Sequence, residues 1–583
     1  MPISRSVTVV AALAGLALLA GPGAAKAGDR PPIDVQVLAI SDFHGYLSPP
    51  ADAANGSIEA PGGGRLTVGG AAYLATHLDA AAAGRPNSIR VANGDSFTGW
   101  QWEVTMARDE PTIELLDHLG IEASAVGNHE LDVSLEFLRD HVMGGECFGR
   151  VGVDMCFERS DGAPFSAVDF PFLAANLHDA SSGDRPFAST YVRDVVGPGN
   201  QVAQVGFIGV TTPAVERIFA SYQVGRLVAE EMTQAVDEAA AELHRDGVDA
   251  IVVLAHDGAE TSGTYDECGD ATGPVVDLAR EASPLVDVVV GGHWHTAFSC
   301  SVTDPAGRPR AVVSPGHHGQ VFADLSFRVN PGTGEIVRES VSAVNVPVTR
   351  NVTPDPEVAD LVEHWVGTGG ELWARPLATV TENIPNVPDA LGQSPARNLV
   401  ADAYRDIGSS LGEPADLALV EPYQVRNGVS YARGTNPQDA DGTVLYGEGW
   451  VVQGRASSVV TLEITGADLL DALEQQWRED PDVSYLPLSL SAGARLTIDA
   501  ERDAGSRVVE LMLDGVPIDQ AARYRVAMSS RLALGMDGFT VLASGTDPVR
   551  SDMDYFAFTA WMESQGTLSA PATDRVVELS GGA

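Results

Sequence analysis

The sequence predicts an α/β protein built from two successive units, and three observations carry that prediction. Short runs rich in Val, Ile, Leu and Ala recur through the first half of the chain, each ending in a polar turn. Stretches with helical periodicity, such as Met232–His244, lie between them. The chain has 583 residues, too many for a single domain of roughly 100–200, and all 13 histidines lie at or before His364.

In chain order, Ile33–Ile40 runs into Ser41-Asp42-Phe43-His44-Gly45, and Ser88–Ala92 into Asn93-Gly94-Asp95. Ala123–Val126 runs into Gly127-Asn128-His129-Glu130, and Gln204–Val210 into Thr211-Thr212-Pro213. Ala250–Leu254 precedes Ala255-His256-Asp257, and Val286–Val290 precedes Gly291-Gly292-His293-Trp294-His295. Continuous apolar runs predict strands buried on both faces. Polar groups just past their carboxyl ends stand where open sheets place binding sites. Residues 351–374 form a Pro-punctuated helical stretch, capped at Asp355-Pro356-Glu357, and read as the connection between units. Beyond it come a helix over Arg397–Ile407, a strand over Asp416–Val420 and a strand–helix unit over Val459–Trp477.

Lys and Arg total 36 against 80 Asp and Glu, a net charge of −44. So acidic a chain argues against nucleic acid or an anionic membrane surface as the main partner, and a small anionic substrate would need a local cationic centre. Arg5, the apolar run Val7–Ala20 and Ala25-Lys26-Ala27 have the form of a cleaved secretory leader. Cleavage after Ala27 would remove Lys26, the only lysine, and give an exported protein without a membrane anchor. Cys147, Cys156, Cys268 and Cys300 allow three pairings, of which proximity favours Cys147–Cys156 with Cys268–Cys300 in an oxidising compartment.

Asp42, His44, Asp95, Asn128, His256, His293 and His295 together form a mixed nitrogen and oxygen set suited to Zn²⁺, Mn²⁺ or a similar ion. Seven groups exceed one tetrahedral ion. With one carboxylate shared, they suffice for two ions about 3.5–4 Å apart.

The motifs D-x-H, G-D, G-N-H-E and G-G-H-x-H, each after an apolar strand, resemble those of the calcineurin-like metallophosphoesterases. The likeness is to the secreted 5′-nucleotidase family that includes periplasmic UDP-sugar hydrolases. It implies a four-layer αββα sandwich over residues 28–350, a connecting helix over 351–375 and a substrate-binding α/β domain over 376–583, after a signal peptide at 1–27. It also implies that Asp42, His44 and His295 hold one divalent ion, that Asn128, His256 and His293 hold the other, and that Asp95 bridges them. His129 matches the catalytic histidine and Asp132 its acidic partner. Hydrolysis of a phosphomonoester, a nucleotide first, would follow by metal-hydroxide attack.

In the second unit the resemblance carries Arg426, Asn398 and Asp537 over as substrate contacts. The loop Glu421–Arg426 keeps the arginine without the family's asparagine and glycine pair, and Gly392 stands where some members have another arginine. The two positions that normally sandwich the base hold Gln453 and Arg531, neither aromatic. Base stacking contributes roughly 1–3 kcal/mol per base, so adenosine preference would depend on stacking by Tyr423, Tyr446 or Arg531. The alternatives are a 2′,3′-cyclic-nucleotide or UDP-sugar phosphodiesterase, a phosphatase for another metabolite, or a secreted binding protein with a degenerate substrate domain. His317-His318, within Ser314–Gly319, read as a structural turn, with cleft lining as the other role. His77, His118, His141, His178, His244 and His364 read as surface or packing residues without partners.

Overall fold

Strand Ile33–Ile40 sorts its side chains between two apolar layers: Val35, Val37 and Ala39 enter one, Leu38 and Ile40 the other. Strand Ala250–His256 does the same, with Ala250, Val252 and Leu254 on one face and Ile251, Val253 and Ala255 on the other. Such two-faced burial requires cover on both sides. In the computed structural model, which describes residues 30–98, 101–213, 227–434, 440–453, 457–478 and 484–579, two six-stranded sheets provide it. The leader expected at residues 1–27 lies outside the described residues.

The first sheet runs Ser342–Pro347, Val321–Val329, Ile33–Ile40, Ser88–Ala92, Ala123–Ala125, Phe172–Leu173. The second runs Ala297–Thr303, Pro309–Pro315, Val288–Val290, Ala250–His256, Gln201–Thr211, Thr190–Gly197. Each has parallel strands at its centre and antiparallel pairing toward an edge. Val37, Val91, Val205, Phe207, Val252 and Leu254 fill the layer between the sheets. Helices Ala71–Ala82 and Glu110–His118 cover the outside of one, Met232–Arg245 and Pro274–Glu281 the other. This is the four-layer αββα arrangement.

Leu254 is fully buried between the sheets. Leu254→Ala should cost about 2–5 kcal/mol through lost burial and the cavity left behind, read as a lower unfolding midpoint. An unchanged midpoint would contradict the packing of this layer.

Strand Val288–Val290 is shorter than expected because the carbonyl of Val286 accepts from Arg310 Nε at 3.0 Å and Arg338 Nη2 at 2.6 Å. Helix Pro356–Ala374 is capped by Asp355, which accepts from Val358 N, but it is no free connection. Val358, Leu361 and Trp365 are buried in the first unit's core, and Trp365 Nε1 donates to Glu114 Oε2 at 2.8 Å.

The second unit centres on a five-stranded sheet ordered Ser489–Leu490, Leu417–Val420, Arg523–Ser529, Ser458–Thr465, Thr546–Met553. One face packs on helices Pro395–Ser410 and Asp554–Gln565, the other on Gly466–Glu474. The units meet through Arg108, which bonds Asp552 at 2.7 Å and lies over the Phe556 ring, and through Trp102 against Trp450. Disulfides join Cys147 to Cys156 and Cys268 to Cys300. Among the described residues no helix is long and apolar enough to cross a membrane.

Candidate metal centre

Parallel pairing of Ile33–Ile40, Ser88–Ala92 and Ala123–Ala125 in one sheet, and of Gln201–Thr211, Ala250–His256 and Val288–Val290 in the other, delivers their following turns to a common edge. There the structure brings six of the seven strand-end residues together, and Asn128 lies between Gly127 and His129, both of which stand against Asp95. Ligating atoms of Asp42, His44 and His295 lie within 4.8 Å of one another, as do those of Asp95, His256 and His293. His44 Nε2 is 3.1 Å from His295 Nε2, and His295 Nε2 is 3.6 Å from Asp42 Oδ1. Asp95 Oδ2 stands between the groups, 3.0 Å from His256 Nε2 and 3.9 Å from His44 Nε2.

Local backbone is bent to achieve this. Asp42, His44, Asp95, His293 and His295 all have positive φ, between 50° and 65°, a conformation that persists in non-glycine residues only where surroundings enforce it. Gly127 allows the approach of two loops, since a Cβ there would sit 2.4 Å from the backbone N of Asp95.

Charge follows from burial and neighbours. Burial pushes His44 down to about 3 and His293 and His295 down to about 4, so all three are neutral with lone pairs to offer. Burial, reinforced by Asp95 against the pull of His256, lifts Asp42 to about 7. Burial would also raise Asp95 and lower His256, but their mutual attraction wins: Asp95 falls well below the carboxylate range and His256 rises to about 10. A cation beside Asp95 would displace that proton from His256.

The donor set fits divalent ions. His44 Nδ1 donates to Phe97 O at 3.2 Å and His256 Nδ1 to Asn93 O at 2.7 Å, leaving each Nε2 turned into the site. Backbone-anchored imidazoles of this kind are the usual support of metal ligands. Asn128 Oδ1 and His293 Nδ1 are buried with no hydrogen-bond partner, atoms that a bound ion would satisfy.

His129 lies beside this set, its ring 5.0 Å from that of His44. Its Nδ1 donates to Asp132 Oδ2 at 2.6 Å, and its backbone N donates to Asp95 Oδ1 at 2.8 Å. Burial opposes its charge, but Asp132 and Asp95 outweigh burial and push the imidazole up to about 10.

Glu130 was given no role from sequence, yet its buried carboxylate accepts from the backbone N of Asp95, Ser96 and Gly127 at 2.7–2.8 Å. It fastens two ligand loops to each other. His317 and His318 are more than a turn: both rings stand within 6 Å of His295, and His318 within 6 Å of His44. The six outlying histidines do have partners, contrary to expectation. His77 pairs with Thr349 O and His364 with Glu158 O, and His118, His141, His178 and His244 each face a carboxylate.

The second-unit residues have separate local partners, although Gln453 bridges to Val425, the neighbour of Arg426. Arg426 is exposed, with its backbone N donating to Val452 O. Asn398 is fully buried and its Nδ2 donates to Ala572 O at 2.7 Å. Asp537 pairs with Arg531 at 3.6 Å. Gln453 is fully buried, and neither amide atom has a partner. Among the described residues no hydrogen bond or ion pair joins Arg426, Asn398 or Asp537 to the strand-end cluster.

Comparison with known proteins matches both halves. Residues 35–297 match the calcineurin-like phosphoesterase family, and residues 376–544 match the 5′-nucleotidase C-terminal domain. A cell wall protein of Listeria monocytogenes is 26% identical over 96% of this chain and 71% of its own length. An apyrase of Anopheles gambiae is 24% identical over 98% of this chain and 95% of its own. The crystal structure of a 5′-nucleotidase precursor from Thermus thermophilus, 23% identical, covers 94% of this chain and all of its own with a TM-score of 0.50, a likeness of fold. The chain belongs to the calcineurin-like phosphoesterases that carry a 5′-nucleotidase C-terminal domain, a family of phosphoric ester hydrolases.

Proposed function

We propose that this chain is an exported two-metal phosphoesterase that hydrolyses a phosphomonoester, a nucleotide before others. The observation that carries the reading is the Asp95 carboxylate, 3.0 Å from His256 and 3.9 Å from His44, between two otherwise separate ligand groups. Asp42, His44 and His295 would hold one ion, Asn128, His256 and His293 the other, with Asp95 shared. Two divalent ions there would lower the pKa of bound water toward neutrality and neutralise the phosphate that so acidic a chain otherwise repels. His129, with Nδ1 held by Asp132, keeps Nε2 free to stabilise charge on the phosphoryl group or to give a proton to the leaving oxygen. The 5′-nucleotidase C-terminal match supports a nucleotide, and the paired disulfides and the leader sequence support export.

One observation favours a second reading within the same chemistry. Gln453 is buried rather than facing a cleft, and Arg531 is occupied with Asp537. A pocket without an aromatic clamp would suit a phosphorylated metabolite held by hydrogen bonds.

Both readings meet in one assay. With Mn²⁺ or Zn²⁺, the protein should release phosphate from AMP, and a chelator should stop it. UDP-glucose, 2′,3′-cyclic AMP and p-nitrophenyl phosphate complete the panel, the cyclic and diester substrates with an added phosphatase. Turnover of p-nitrophenyl phosphate without any nucleotide would uphold the metal centre and reject the nucleotide pocket. Activity on none would sink the enzyme reading.

A further inference from the structure

Two histidines that the two-ion reading leaves unused stand at its edge. The turn after strand Pro309–Pro315 returns His317 and His318 to the site, and His318 N donates to Asp42 O at 2.8 Å. The turn is thereby fastened to the loop that carries two of the proposed ligands. Tyr46 stacks on the His318 ring at 3.6 Å and fixes its plane.

Each ring is oriented by its Nδ1. His317 Nδ1 lies 2.9 Å from His295 O, and a carbonyl only accepts, so Nδ1 carries the hydrogen. His318 Nδ1 lies 3.0 Å from Asn55 Oδ1 and donates in the same way. In the neutral rings both Nε2 atoms are therefore lone pairs. Anchored Nδ1 with Nε2 turned into the site is the arrangement that His44 and His256 also adopt, and it is the support a metal-ligating imidazole needs.

The rings also converge. His317 and His318 have centroids 4.4 Å apart, His295 and His317 4.7 Å, and His295 and His318 5.5 Å. One ligating nitrogen of each lies within 4.8 Å of the other two. Three imidazole nitrogens clustered at this spacing offer neutral donors that suit a borderline divalent cation rather than a phosphate oxygen.

We propose that His295, His317 and His318 form a third divalent-cation position on the rim of the two-ion centre. It rests on the two-ion reading only through His295, which both positions claim. A neutral imidazole has one lone pair, so engagement at the rim draws His295 from the Asp42–His44 group. The rim position is therefore the weaker one and fills last, at excess metal.

Equilibrium dialysis of the full chain against Zn²⁺, with metal counted by mass spectrometry, tests this. The wild type should bind two equivalents tightly and a third more weakly. The double variant His317→Ala, His318→Asn should lose the third alone; asparagine tolerates the positive φ of 53° at position 318. Asn55→Ala, which removes no ligand, should weaken the third equivalent by about 10–100-fold. It keeps the test open if the double variant fails to fold by circular dichroism. Saturation of the wild type at two ions overturns the rim site and leaves the two-ion reading standing, as does a third equivalent indifferent to these substitutions. Binding of only the ion that these substitutions remove upholds the rim and overturns the two-ion reading.

Discussion

Replacing His129 with alanine lowers phosphate release by about 10²–10⁴-fold, the usual contribution of a positioned acid or base, and leaves metal content near that of the wild type. The two halves of this result come from different atoms. The backbone N of His129, unaffected by the substitution, keeps its bond to Asp95 Oδ1. The imidazole is lost, and with it the group whose Nδ1 is held at 2.6 Å by Asp132 and whose Nε2 is free. Asp132→Asn gives the companion result. Against burial, Asp132 and then Asp95 push His129 up to about 10. A proton donor acts while protonated, so its contribution is present below its pKa and lost as pH rises through it. Removing the Asp132 charge lowers that pKa and moves the alkaline limb of kcat/KM to lower pH. Cations against Asp95 act in the same direction, so the wild-type limb itself falls below about 10. Loss of metal from His129→Ala, or an alkaline limb that ignores Asp132→Asn, would refute these roles.

The strand-end cluster was legible because each member follows an apolar run, and parallel strands bring such ends to one edge of a sheet. Distances along the chain carry no such information for His317. It meets His295 because strands Ala297–Thr303 and Pro309–Pro315 pair antiparallel, with Ala297 opposite Pro315. That register is a property of the hairpin, and the histidine pair has no periodic signature of its own. Glu130 escaped for a related reason: its work is to accept three backbone N–H groups, which no residue type advertises. The helix at Pro356–Ala374 did carry its signal, since Val358, Leu361 and Trp365 are spaced to share one face. In the second unit, resemblance supplied residue names but not their facing. Asn398 proved interior and Arg426 exposed. Whether a polar side chain faces a cleft or a neighbouring segment depends on how helix Pro395–Ser410 meets the C-terminal segment at Ala572, a contact between residues far apart in sequence.

Asp95→Ala should empty the centre of both ions and abolish turnover, whereas His293→Ala should cost one ion. The asymmetry follows from position. His293 belongs to a single group, with Asp95 and His256. Asp95 shares that group but also stands 3.9 Å from His44, and as the proposed bridge its carboxylate, 1% exposed, would be the charge that offsets bringing two cations into the site. Two divalent ions held beside neutral imidazoles and the one remaining carboxylate, Asp42, would repel each other strongly at low effective dielectric. Metal ions contribute several kcal/mol of transition-state stabilisation, and about 1.4 kcal/mol is tenfold in rate, so the loss should be on the order of 10³-fold or more. The metal-free protein adds an independent readout. Asp95 is the charge that holds His256 at about 10, so in Asp95→Ala the His256 ring should titrate at lower pH by nuclear magnetic resonance. An Asp95→Ala protein that keeps two ions would show that the groups do not share this carboxylate, and a His293→Ala protein that loses both would show that they do not fill separately.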